Sequence, residues 1–218
     1  MAKKRKGRGG MIMNYSKYYD SYLYVLRHPV HCFKNYRLTK KYPFLMPMDR
    51  FNNKKLKDYH YQHTEADFIP KGWRKAFGDL LFEDIMGALN KDNIDPKDFY
   101  FTDIKEKWGS LNMYASNYGE NVDHVLEDYR VISEHICIYC GELDVPLTSF
   151  GWIMPLCMKC CEKINKISPK DYKKKACKSK KDCIIPDHQV YIKYKNGQKT
   201  KVWHDLTETV NKIREVNK

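Results

Sequence analysis

The chain has 218 residues, 42% hydrophobic and 14% aromatic, which is enough apolar material for a folded core and argues against global disorder. Its formal net charge of +13 is uneven: +12 over residues 1–60, −8 over 61–160 and +9 over 161–218. No apolar run approaches the roughly 18–20 residues that span a bilayer, and none follows the basic start MAKKRKGRGG, so a soluble cytoplasmic protein without a membrane or secretory segment is expected.

Residues 1–14 are expected to form a disordered basic arm carrying Lys3, Lys4, Arg5, Lys6 and Arg8. An α+β domain is expected over 15–136. Its first helix passes through Tyr18, Tyr22 and Val25 and ends before Pro29, because a residue preceding proline avoids the α region. Residues 41–70, with Pro43, Pro47 and Pro70, read as irregular. The clearest helix begins near Pro70. There Trp73, Phe77, Leu80, Leu81, Ile85 and Leu89 recur at helical spacing and predict one buried face, with Asp79, Glu83 and Asp84 turned away from it. DFYFTDIKEK and LNMYAS read as two strands joined through Trp108-Gly109-Ser110, and a second helix covers 122–135. A zinc module follows at 137–168, then a lysine-rich linker at 169–183. Last comes a basic hairpin–helix tail at 184–218, with its turn at Asn196-Gly197. The fold class is therefore α+β: a helix–hairpin–helix core, a four-cysteine module and a small ββα-like tail.

The eight cysteines stand at 32, 137, 140, 157, 160, 161, 177 and 183. Such clustering without a secretory signal suggests metal rather than disulfides. Cys137, Cys140, Cys157 and Cys160 read C-x2-C, sixteen residues, C-x2-C. Two residues between thiolates let both sulfurs reach one tetrahedral ion at ~2.3 Å, so one structural Zn2+ is expected, with buried free thiols as the bland alternative. Four cysteine ligands leave no open coordination position, and such an ion supports folding rather than activating water. Gly141 suits a knuckle, Pro146 and Gly151 suit a hairpin, and CMKCCEKINKI reads as a helix. Knuckle, hairpin and helix in that order form a treble-clef-like module; two knuckles on hairpins would form a zinc ribbon. Cys161 reads as a spare thiol, and Cys177 and Cys183 as exposed thiols without a second pair.

A zinc-braced nuclease of the HNH type needs a histidine base on the hairpin and helix, and residues 141–156 contain none. His60, His63, Glu65 and Asp67 spell H-x2-H-x-E-x-D, but in a polar tyrosine-rich stretch they read as surface decoration. No glycine-rich phosphate loop, G-x-S-x-G or H-E-x-x-H motif is present. No catalytic residue is assigned, a binding protein is expected, and nuclease activity ranks third. Basic tracts beside tyrosines suit sequence-tolerant contact with DNA or RNA. Besides the arm, the candidates are Lys173, Lys174, Lys175, Lys178, Lys180 and Lys181. The rival reading is a protein–protein inhibitor or adaptor of a host machine that uses the acidic face of Asp79, Glu83 and Asp84.

YPFLMP (42–47), GWRKAFG (72–78), IKEKWGSL (104–111), CIYCG (137–141) and GWIMPLCMKC (151–160) resemble a family of small uncharacterised proteins encoded by phages and prophages of low-GC Gram-positive bacteria. The similarity covers roughly residues 42–160. The resemblance implies a mobile-element accessory or regulatory protein in the host cytoplasm. Its partner would be DNA, RNA or a host nucleoprotein complex such as a defence system, giving it an anti-defence role. Only the four cysteines map onto a site through it.

Overall fold

The structure, a computed structural model, describes residues 21–49, 56, 59–176, 183–195 and 198–218. Lys3, Lys4, Arg5, Lys6, Arg8, Lys178, Lys180, Lys181 and the Asn196-Gly197 turn lie outside the described residues.

Helix α1, Ser21–Arg27, stops before His28, as Pro29 predicts. The same proline then opens a second helix, α2, Pro29–Lys41. At a first helical position its missing N–H costs nothing and its fixed φ is already helical. The chain that follows is irregular but well packed. A 3-10 turn at Pro43–Leu45 buries Phe44 and Leu45, and Phe44 sits edge-on to Phe82, Phe99 and Phe101. A second 3-10 turn, Glu65–Phe68, is boxed by Thr64 and Asp67. Gln62, Thr64 and Glu65 are buried there and His63 is half-buried, so the H-x2-H-x-E-x-D stretch is a packed strap rather than surface decoration.

Helix α3, Lys71–Lys91, buries Trp73, Phe77, Leu81, Ile85 and Leu89 of the predicted stripe, leaves Leu80 half-buried, and adds Ala76, Phe82 and Ala88. Its apolar arc is wider than one stripe because it is covered by more than one neighbour. Strands β1, Tyr100–Lys107, and β2, Ser110–Ser116, pair antiparallel with a bulge between Phe101 and Asp103. Helix α4, Glu120–Ser133, lies against both β2 and α3, and its Tyr129 donates to Asp84 Oδ2 at 2.8 Å.

The cysteine segment contains a short hairpin, β3, Leu147–Ser149, and β4, Ile153–Pro155, then helix α5, Met158–Asn165. The linker expected from 169 begins instead as helix α6, Pro169–Lys175. Ser168 Oγ caps it by accepting from Asp171 N at 3.2 Å, and buried Tyr172 donates to Leu156 O at 2.7 Å. Strands β5, His188–Lys195, and β6, Gln198–Asp205, pair antiparallel and lead into α7, Thr207–Val216. This end of the chain does not stand apart. Ile185, Leu206, Val210 and Ile213 share one core with Trp73, Phe77 and Tyr129, and α7 packs on α3. Among the described residues the sheets are three separate antiparallel pairs, so the fold is a mixed α+β arrangement.

Candidate metal centre

The first cysteine pair sits on a tight turn. Cys137 N–H donates to Glu142 O at 2.8 Å, and Gly141 N–H returns to Cys137 O at 2.9 Å. Gly141 has φ +83°, a conformation that side chains disfavour. The second pair straddles the start of α5: Cys157 is its N-cap, and Cys157 Sγ accepts from Cys160 N at 3.3 Å. The second pair thus aims a backbone N–H at sulfur.

The four Sγ atoms of Cys137, Cys140, Cys157 and Cys160 lie within 4.8 Å of one another. Cys140 and Cys157 are 3.7 Å apart, too far for a disulfide, whose sulfurs are about 2.05 Å apart. That spacing matches the edge of a tetrahedron, about 3.8 Å for ligands at ~2.3 Å from a central ion. Cys137 and Cys157 are buried, while Cys140 and Cys160 are half-exposed. Burial pushes the Cys160 thiol up to about 12 and also raises Cys157, and their neighbouring sulfurs add to the rise. For Cys137, burial is outweighed by backbone N–H groups of Cys157, Cys140 and Tyr139, and the thiol is lowered. The four sulfurs are grouped as one tetrahedral cation would need them. The donor set therefore fits a soft, tetrahedrally ligated metal ion. Cys161, expected to be a spare thiol, is fully buried in a second small core with Val145, Leu156 and Tyr172. Cys183 is half-exposed, and its carbonyl accepts from His135 Nδ1 at 3.3 Å.

Two junctions tie this centre to the rest of the molecule. At the first, Gly72 N–H donates to Ile138 O at 2.9 Å and Trp73 Nε1 to Ile136 O at 2.8 Å. At the second, the β1–β2 turn rests on the β3–β4 hairpin. Gly109 faces Leu147 and Ile153, and Trp108 stacks on Trp152. Trp108 at φ +56° and Gly109 at φ +87° form a two-residue turn that normally takes Asn-Gly, and holding tryptophan there costs about 1–2 kcal/mol.

Of the predicted nucleic-acid contacts, Lys173 and Lys174 are exposed on α6, and Lys175 is the last residue of that helix. Lys159, Lys163, Lys166 and Lys170 are also exposed on the same module. Of the acidic residues of α3, Asp79 and Glu83 are exposed and Asp84 is half-buried. Glu83 accepts from Lys41 Nζ at 2.6 Å and Tyr42 Oη at 2.9 Å, and Asp84 is held by Tyr129. Lys41 is the main reason the Glu83 carboxyl is lowered. Among the described residues, no second group of three His, Cys, Asp or Glu converges closely enough to hold a metal ion. Nor is any described helix long and apolar enough to cross a membrane. Comparison with protein-family models, curated proteins and solved structures yields no match, so the resemblance to phage-encoded proteins gains no support from them.

Proposed function

We propose a zinc-stabilised binding protein, an accessory or regulatory protein of the phage type, that engages nucleic acid or a nucleoprotein complex through basic surfaces. A host defence system is one such complex. The observation that carries this reading is the lysine surface of the four-cysteine module. Lys159, Lys163, Lys166, Lys170, Lys173 and Lys174 are all exposed, against the exposed acids Glu162 and Asp171. Because α5 begins at the cysteine pair and α6 is anchored through Tyr172, the ion at the centre would fix where those charges stand. Phosphate neutralisation by such a surface releases counterions and gives affinity that falls steeply with salt.

Zinc is the ion that best suits four cysteines in a closed tetrahedral set, and its role would be structural. A first pair on a turn, then a hairpin, then a second pair opening a helix supports a treble-clef-like module over a zinc ribbon. The inhibitor reading keeps Asp79 and Glu83 as exposed carboxylates, whereas Asp84 is half-buried and held by Tyr129.

The test is a purification without nuclease, with metal analysis and binding titrations over a salt series. One zinc per chain is expected, together with nucleic-acid affinity that drops with salt and weakens in the Lys173→Glu, Lys174→Glu double variant. Zinc-free folded protein would overturn the metal assignment. A defined protein partner bound without nucleic acid would overturn the basic-surface reading.

A further inference from the structure

Two of the four tryptophans stand side by side at the surface. Trp108 is 64% and Trp152 is 54% exposed, their ring planes are 5° apart, and their centroids are separated by 6.0 Å. They come from different hairpins, so folding has to bring them together. The Glu106 carboxylate links Trp152 to the turn that carries Trp108: Oε1 accepts from Gly109 N at 2.8 Å and Oε2 from Trp152 Nε1 at 3.0 Å. A Cβ on Gly109 would lie 2.6 Å from Leu147 Cδ2, so the turn is seated closely on the metal-module hairpin. Trp108 keeps a left-handed backbone conformation that asparagine or glycine would adopt more easily. Packing does not explain a large indole in a disfavoured backbone position facing water, whereas a rigid recognition surface does.

We propose that Trp108 and Trp152 form a stacking platform for the unpaired bases of a single-stranded nucleic acid. This rests on the reading of the protein as a nucleic-acid binder and narrows it to single strands. The flanking chemistry fits. Lys107 is exposed next to Trp108. Helix α6, with Lys173 and Lys174, packs against β3 of the same hairpin that carries Trp152. Aromatic faces stack on any base while lysines follow the phosphates, which is how sequence-tolerant single-strand binders work. A duplex keeps its bases stacked on one another and offers only edges, so it gains nothing from the indoles. A cationic protein segment fits less well, because both Glu106 oxygens already accept hydrogen bonds within the chain.

The experiment titrates zinc-loaded full-length protein against a labelled 20-nucleotide oligo(dT), oligo(rU), a 20-base-pair duplex and a lysine/arginine-rich peptide. Trp108→Gly, Trp108→Phe and Trp152→Ala are compared with wild type, after zinc content and unfolding midpoint show each variant folded. Trp108→Gly suits the turn, and Trp152→Ala tests the same platform from the other hairpin if the first misfolds. The expected result is preference for single strands, loss of about tenfold or more in each of the Gly and Ala variants, and retention in Trp108→Phe. Duplex binding and the salt slope should not change in these variants. Equal affinity for single strand and duplex, or variants that bind single strands like wild type, would overturn the platform and leave the nucleic-acid reading standing. Absence of any nucleic-acid binding, with or without tryptophan-dependent capture of the basic peptide, would overturn both.

Discussion

At Gly72 the backbone of α3 lies against the first cysteine turn, and an added Cβ would sit 2.2 Å from Cys137 O and 2.6 Å from Ile138 O. Neither neighbour is a flexible side chain, so Gly72→Ala has to push the helix off the turn. A loss of about 1–3 kcal/mol in denaturant unfolding is expected, with weaker metal retention. Gly87, exposed in the same helix with nothing within 4 Å of its position, is the control: Gly87→Ala should stabilise by ~0.5–1 kcal/mol. Opposite signs at two glycines of one helix would separate close approach from helix propensity. Asp128 makes a second residue-scale prediction. It is 5% exposed and accepts hydrogen bonds from Gln189 Nε2 and, at 2.8 Å, from His204 Nδ1. Burial raises its carboxyl from 3.8 to about 6, with His204 and Gln189 opposing that rise. The folded state therefore holds this proton more tightly than the unfolded chain does. The resulting stabilisation is complete below about pH 4 and disappears as pH rises through about 6. The stability of wild type at pH 4 relative to pH 7 should exceed that of Asp128→Asn, which lacks the titrating carboxyl.

Among the elements, α7 is the one whose role differs most from its position at the end of the chain. Leu206, Val210 and Ile213 are buried in the main core, and Asn217 Nδ2 donates to Ala76 O at 2.9 Å. Arg214 grips Asp144 through two contacts of 2.7 and 2.9 Å, which joins α7 to the loop before β3. Burial of three apolar side chains at about 2 kcal/mol each approaches the whole stability of a typical domain. Truncation after Asp205 should therefore abolish cooperative unfolding in a thermal melt, whereas an independent tail would leave the melt of the remainder unchanged. The seat of α7 has no local signal, because Asn217 and Ala76 are 141 residues apart. Elements whose burial repeats within a few residues were legible: the α3 stripe and the paired cysteines of the metal centre. Pro29 was read only as a stop because proline disfavours helix before itself, yet it also starts α2. The start of α6 was written in Ser168-Pro169 with Asp171 three residues on, but the lysine count of that stretch masked the cap and the buried Tyr172. The Trp108–Trp152 pair was not legible at all, since its two members meet only through the packing of separate hairpins.

Taken as a whole, the molecule has its metal centre at a crossing point rather than at an edge. The first cysteine turn receives the start of α3, the β3–β4 hairpin receives the β1–β2 turn, and Asp144 receives α7. Chelation, or Cys157→Ser, should for that reason loosen more than the local loop. Hydrogen exchange should show protection falling at the Gly72 amide and the Trp73 indole N–H, both of which donate to carbonyls of the cysteine segment. If both kept their protection in metal-free protein, the centre would be a local clasp only. The same junction has a consequence for how the chain is made. Ribosomes emit it from the N-terminus, and Trp73 leaves 63 residues before the carbonyl that receives its indole. At about 5–20 residues per second that interval lasts roughly 3–13 s, during which the Trp73 indole lacks its native acceptor. A ribosome paused between α3 and the second cysteine pair would hold out an adhesive half-protein for chaperones or proteases to claim. Only when α7 has followed the cysteines and covered the core would the newborn chain stop being their client.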